Sequence, residues 1–332
     1  MTLAPSAIPA YRPLPSRLPL GGYASQVSFN PHVGPEYTFW PNPKNAPFRF
    51  AVMGDAGTGD AAQYQVARQL SVWHRIAPFN TVMVLGDNVY PNGEPSLFQD
   101  RIARPYQDLF QRGVQFRPVR GNHDVKQGYG DWQSAYWGVP PFYSFKLGPP
   151  GYDIEFCGLD TNMLLPGTNP QDFANPFLAQ QKAASQLAWL ERTLASSTAS
   201  MKVVYAHHPL YSTGAKTKPK RNMEQMILSR QLAPLFTKYG VDLYMAGHEH
   251  HYEKPVLING TYHLVSGAGG KLDTPKRGGP EGNGLLKRLH FMLFEITPQG
   301  LTYRTISERG EFLDCGKIPR KHLSAPSLYL NA

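Results

Sequence analysis

An α/β layered fold, with two sheets face to face and helices on both outer sides (α/β/β/α), is the class this sequence predicts, on three observations. Five short apolar runs each lead, within three residues, to a polar residue behind glycine or alanine: Gly54-Asp55, Gly86-Asp87, Gly121-Asn122, Ala206-His207 and Gly247-His248. Stretches with an apolar stripe at helical spacing lie between several of these runs. The last third instead reads as β-rich segments separated by turn residues. Alternating strands and helices favour a layered sheet whose sites gather at the carboxyl ends of the strands.

The elements follow in order. Residues 1–47 carry scattered prolines from Pro5 to Pro47 and read as an extended arm, poor in ladder donors. The domain proper is expected over 48–310, and FRFAVM at its start reads as a buried strand. Asp60 then caps a helix, with Gln63 completing a capping pair and Val66, Leu70 and Trp73 on the inner face. TVMVL and FRPV (116–119) repeat the strand signal. Ala183, Leu187, Leu190 and Leu194 stripe a second helix that ends at Ser196-Ser197. After the strand MKVVY, a helical stretch over 222–239 contains Pro234 and is expected to kink or split. VDLYM is the next strand, and TYHLVSG, HFMLFEI and LTYRTIS are expected to be antiparallel. Residues 311–332 read as a C-terminal tail.

Composition narrows the function classes. A chain of 332 residues, 41% hydrophobic, can bury a large core. Two distant cysteines, Cys157 and Cys315, exclude a disulfide scaffold and a zinc–cysteine site, and are expected as buried free thiols. No apolar stretch approaches the roughly 18 residues that would suggest a membrane span. The amino terminus lacks the charged start and apolar stretch of a signal peptide, so the expectation is a cytoplasmic protein, or an exported one if a leader has been removed. A net charge of +9 suits capture of an anion. No nucleic-acid motif accompanies it, so the expected partner is a small phosphorylated substrate, neither nucleic acid nor membrane.

The polar residues at the strand ends carry the chemistry. GDAG, GDNVY, GNHD, AHHPL and GHEHH supply Asp55, Asp87, Tyr90, Asn122, His123, His207, His248 and His250. Two neighbouring cations need anionic oxygens, neutral imidazoles and one ligand that bridges them. A carboxylate has two oxygens and can bridge, and His248 and His250 flank Glu249 so that both rings point one way from an extended segment. Any one motif alone reads more simply as a turn. Yet six of the eleven histidines, His123, His207, His208, His248, His250 and His251, fall in three of these loops.

These motifs, in this order over about residues 48–306, resemble the calcineurin-like metallophosphoesterases and, within them, the purple acid phosphatases. Gly57 stands where many relatives have histidine, and Tyr90 follows Asp87 at the spacing of a tyrosine that binds ferric ion. The resemblance implies a ferric site of Asp55, Tyr90 and His250. A second site for Fe²⁺, Zn²⁺ or Mn²⁺ would use Asn122, His207 and His248, with Asp87 bridging. It also implies hydrolysis of phosphate monoesters by in-line attack of a metal-bound hydroxide, with His123 as a catalytic proton donor. The alternatives are a phosphodiesterase or nucleotide hydrolase on the same metals, and a non-catalytic scaffold, which would be expected to lack ligands.

Substrate contacts are expected from Arg120, Asn122 and Lys216. Lys216 belongs to a basic cluster with Lys218, Lys220 and Arg221; a further histidine that some relatives carry after the fourth motif has no clear match, and Ser212, Thr213 and Lys216 stand in that region. Tyr129, Trp132, Tyr136, Trp137, Phe142 and Tyr143 read equally as an aromatic wall beside the site or as core packing. His208 and His251 adjoin the ligand candidates and are expected to back the ligands from outside or to lie at the surface, since neighbouring side chains diverge on a strand.

Overall fold

The computed structural model describes residues 47–168, 174–214, 219–272 and 285–321. The arm expected over 1–47 falls almost wholly outside the described residues, as do Lys216 and Lys218.

Thirteen strands, numbered in chain order, form two sheets among the described residues. The first joins β1 (Arg49–Met53), β2 (Thr81–Val84), β3 (Gln115–Pro118), β11 (His290–Thr297), β12 (Gly300–Ser307) and β13 (Phe312–Pro319), in the order β13-β12-β11-β1-β2-β3. The second joins β4 (Tyr143–Leu147), β5 (Ile154–Gly158), β6 (Met201–Tyr205), β7 (Leu243–Ala246), β8 (Tyr252–Ile258), β9 (Thr261–Ser266) and β10 (Leu285–Leu286), in the order β10-β8-β9-β7-β6-β5-β4. The strands that lead into the five motifs run parallel to their sequence neighbours, β1 with β2 with β3 and β6 with β7. Their carboxyl ends therefore meet at one edge of the sandwich.

Alternation along β1 shows the layers. Phe50 and Val52 face the other sheet, where Phe50 meets Phe156 edge to face at 5.1 Å, in a core shared with Val203, Tyr205, Leu243 and Met245. Ala51 and Met53 face outward onto Val66, Leu70 and Trp73 of helix α1 (Ala61–Ile76). Both faces are covered, so the strand is a continuous apolar run. Asp60 caps α1 as expected, its Oδ1 accepting from the amides of Ala62 and Gln63 at 3.1 and 3.3 Å. Three short helices follow, α2 (Gln107–Gln111), α3 (Asn122–Val125) and α4 (Gly130–Trp137). The second sheet is covered by α5 (Pro176–Ser196) and α6 (Pro219–Tyr239), through Leu190, Leu194, Leu228, Leu232 and Phe236.

Several expectations are corrected. The stretch around Pro234 is one helix of 21 residues rather than two. Pro234 faces solvent, where water can satisfy the freed carbonyl, while Leu232 and Phe236 on either side stay buried. Residues assigned to a tail from 311 onward include β13, which pairs antiparallel with β12 and closes the edge of the first sheet. β9 runs parallel to β7 and antiparallel to β8, so the last third is not purely antiparallel. Cys157 and Cys315 are both free, but only Cys157 is buried.

Candidate metal centre

The turns that deliver the motif side chains are strained. Asp55, Asp87 and His248 have φ of 56°, 53° and 70°, a left-handed conformation that costs a residue with a side chain about 1–3 kcal/mol. Cross-loop hydrogen bonds hold them there. The Asp55 amide donates to the Gly86 carbonyl at 3.0 Å, and the His248 amide donates to Asp55 Oδ2 at 2.8 Å. The His123 amide donates to Asp87 Oδ1 at 2.9 Å. Strain held at side chains that converge on one point is the usual mark of a working site.

Gly57 and Tyr90 are parts of one device. A Cβ on Gly57 would overlap the Asn88 backbone, and the Gly57 carbonyl accepts from the Tyr90 amide at 2.9 Å. Without a side chain at 57, the Asp87–Tyr90 loop packs directly on the Asp55 loop. Tyr90 Oη then reaches Asp55 Oδ1 at 3.1 Å and His250 Nε2 at 3.3 Å, with His250 Nε2 3.4 Å from Asp55 Oδ1.

A second group adjoins the first through Asp87. His207 Nε2 lies 3.1 Å from Asn122 Oδ1, 3.1 Å from His248 Nδ1 and 3.4 Å from Asp87 Oδ1. Ligand atoms of Asp87 also lie within 4.8 Å of those of Asp55 and His250. All seven predicted metal-binding side chains are thus brought together.

The ring nitrogens facing away are anchored. His207 Nδ1 donates to the Leu85 carbonyl at 2.8 Å, and His248 Nε2 donates to Glu224 Oε2 at 3.3 Å. Each imidazole therefore presents its other nitrogen, with a lone pair, to the centre, the arrangement typical of metal-binding histidines. Burial, followed by the neighbouring charges of His208, His207 and Arg221, keeps His248 neutral well below the usual histidine range. Burial alone would raise the Asp87 carboxyl, but His207 and His123 outweigh it and hold it ionised down to about 2. Two ionised or ionisable carboxylates, a phenol, an amide oxygen and three imidazoles in mutual reach suit two cations better than they suit one another.

The chain matches the family model described as calcineurin-like phosphoesterase over residues 48–252. The protein belongs to that family. It is 30% identical to tartrate-resistant acid phosphatase type 5 of Oryctolagus cuniculus, over 85% of this chain and 94% of the relative. The human protein of the same name is also 30% identical, over 82% and 91%. The fold of a purple acid phosphatase from yellow lupin (Lupinus luteus) superposes with a TM-score of 0.66 at 19% identity, covering 86% of this chain and 57% of that one. GAP50, described as the anchor in the inner membrane complex of Plasmodium, superposes with 0.69 at 19% identity, covering 83% and 90%. As a calcineurin-like phosphoesterase of the purple acid phosphatase kind, the protein is a phosphatase that hydrolyses phosphoesters, and a binuclear metal site belongs to its family.

Other predicted residues fare differently in this phosphoesterase. Arg120 directs its guanidinium to Asp131 at 3.0 Å, Ser134 at 2.6 Å and Asp160 at 3.5 Å, lining a separate cavity of about 620 Å³. It is held there by carboxylates rather than offered to a phosphate. Arg221 clamps the histidine loop, donating to the His248 carbonyl at 2.7 Å and pairing with Glu249 at 2.7 Å. Trp132, Tyr136 and Trp137 pack on Phe98, with ring centroids 5.1, 3.9 and 5.5 Å away, so these three rings are packing and not a free wall.

His208 backs the ligands from inside the protein rather than lying at the surface. β6 ends at Tyr205, so strand alternation no longer governs residues 207 and 208; His208 is buried, with Nδ1 2.7 Å from Thr161 Oγ1 and its ring 4.3 Å from that of His248. Sequence reasoning also passed over Asp124, although it lies inside GNHD. Its carboxylate accepts from the amides of Asn88, Val89 and Gly121 and from the side chains of Asn88 and Gln133, all within 3.1 Å, which ties two ligand loops together. Glu224, Lys126 and Lys271 carried no local signal at all.

Proposed function

We propose that this phosphoesterase cleaves phosphate monoesters of small molecules. A ferric ion would be held by Asp55, Tyr90 and His250, and Fe²⁺, Zn²⁺ or Mn²⁺ by Asn122, His207 and His248, with Asp87 shared between them. The observation that carries this reading is the Tyr90 hydroxyl lying between Asp55 and His250. Burial, then the charges of Asp55 and Asp87, keep the phenol protonated well above its ordinary range in the protein alone. Only a strongly polarising cation competes with that proton, which favours a trivalent ion over a divalent one. Two cations bound there would supply Lewis acidity toward the phosphoryl oxygens and an acidified water as nucleophile.

The chain's own residues supply orientation and a proton. Asp87, held ionised, spans the two groups. His123 stands beside it, Nε2 at 3.9 Å from Asp87 Oδ2, with its ring 4.5 Å from that of Tyr90. The Pro91 carbonyl, 2.5 Å from His123 Nδ1, can only accept, so Nδ1 carries hydrogen and Nε2 exchanges a proton at the mouth. An imidazole so placed can protonate the leaving oxygen.

Metal analysis with a visible spectrum, on protein purified without chelator, tests the reading. Iron with a violet ferric–phenolate band is expected, and Tyr90→Phe should eliminate the band; its persistence would assign the colour to another ligand. A matched monoester and diester test the substrate class, and far faster cleavage of the diester would overturn the monoester assignment.

A further inference from the structure

Two lysines outside the five motifs close over the mouth of the centre. Lys126, just past α3, places its ammonium 2.9 Å from His123 Nδ1 and 3.3 Å from Nε2, against the imidazole ring. Lys271, beyond β9, lies 4.1 Å from the centroid of the Tyr90 ring. Because the Tyr90 and His123 rings are themselves 4.5 Å apart and tilted by 57°, the two ammonium groups flank one pair of touching rings. Both lysines are half-buried.

Carboxylates act on Lys126 only from beyond ion-pair distance. Lys220 reaches Glu224 at 3.7 Å, but no carboxylate among the described residues pairs with Lys126 or Lys271. Burial lowers the pKa of Lys126, Asp87 and Glu94 oppose this, and the positive charges of Lys271 and Lys220 lower it further, so the three ammonium groups share one region. Partly desolvated like charges held together in this way are unfavourable until an anion joins them. Two cations bound at the centre would supply the charge needed for one phosphoryl group. Two further ammonium groups, across the rings of Tyr90 and His123, match a different anion.

We propose that Lys126 and Lys271 form a subsite for a second anionic group on the leaving-group side, selecting phosphate monoesters whose alcohol bears another phosphate or a carboxylate a few bonds from the ester. The proposal rests on the monoesterase reading above. It places a cation on each ring that borders the mouth, and it requires no movement of the strained ligand loops.

Kinetics of the metal-loaded enzyme on phenyl phosphate and on 3-carboxyphenyl phosphate test it. The charged ester should have the higher kcat/KM by about tenfold, as expected of two partly screened ion pairs, and the preference should shrink as salt rises. Replacing both lysines by methionine (Lys126→Met with Lys271→Met) should abolish the preference, whereas replacing both by arginine should keep most of it. Equal kcat/KM for the two esters in the unaltered enzyme would overturn the subsite. So would a methionine variant that loses both activities by one factor, since the lysines would then serve the transferred phosphoryl group or the fold. Failure to hydrolyse phenyl phosphate at all would overturn the monoesterase reading and the subsite with it.

Discussion

Every oxygen donor at the centre, Asp55, Asp87, Tyr90 and Asn122, follows β1, β2 or β3 of the six-stranded sheet, whereas every nitrogen donor, His207, His248 and His250, follows β6 or β7 of the seven-stranded sheet. Neither sheet alone offers a complete set. The two sides are also supported by opposite chemistry. On the oxygen side, amide N–H groups of His123 and His248 steady the carboxylates. On the nitrogen side, acceptors, the Leu85 carbonyl and Glu224, orient the rings. The site is therefore a product of sheet-on-sheet packing around Phe50 and Phe156 as much as of its motifs.

Asp87 is the side chain common to the two ligand groups, lying 3.4 Å from His207 Nε2 while sharing a group with Asp55 and His250. Asp87→Asn keeps its shape and removes the charge, so turnover should fall by on the order of 10³ or more, comparable with removing a central electrostatic contact. Steady-state kinetics beside metal analysis check this, and near-normal turnover with both metals bound would break the assignment.

His123 belongs to the oxygen side by its loop but touches the site only from the mouth. His123→Ala should lower kcat by roughly 10²-fold through loss of proton transfer while metal content stays full. Loss of metal in that variant would make the residue structural.

Much of this was legible in the chain because the donors sit at the ends of short apolar runs, where a buried strand must turn into a loop. Asp55, Asp87, Asn122, His207 and His248 are all of this kind. What the sequence did not reveal depends on how distant segments dock. Glu224 reaches His248 only because α6 lies over the second sheet, and Arg120 meets Asp160 across 40 residues. β5 is buried on both faces like β1, but Glu155 breaks the apolar run that would mark it, and β13 is a half-buried edge strand whose pattern is hard to tell from a tail.

Glu224 sharpens the nitrogen side. As the acceptor for His248 Nε2 it fixes which ring nitrogen faces inward, so Glu224→Gln should weaken binding of the second metal by about 10–100-fold. Zinc titration of the variant measures this, with the Tyr90 site and its colour expected to persist. Parallel loss at both sites would mean that the two sides are not separable.

The smallest effect separates stability of the nitrogen-bearing sheet from its chemistry. His263 on β9 pairs in register with Tyr244 of β7, the strand that leads to His248, and burial lowers its pKa to about 4. Its Nδ1 has no hydrogen-bond partner among the described residues, so the folded protein gains nothing that would favour the charged ring. In the unfolded chain the same ring protonates near 6.5. Between these values the unfolded state binds more protons, so stability is full above about pH 6.5 and is lost as pH falls toward 4. Between pH 7 and 5.5 the loss from this one residue should be about 1 kcal/mol. His263→Phe keeps an aromatic ring against Tyr211, 4.8 Å away, and removes the proton. Urea midpoints at the two pH values should therefore draw closer in the variant by that amount, while an unchanged gap would place the acid sensitivity of the second sheet in other groups, with Glu253, already held at about 2 by its partners, titrating too low to account for it.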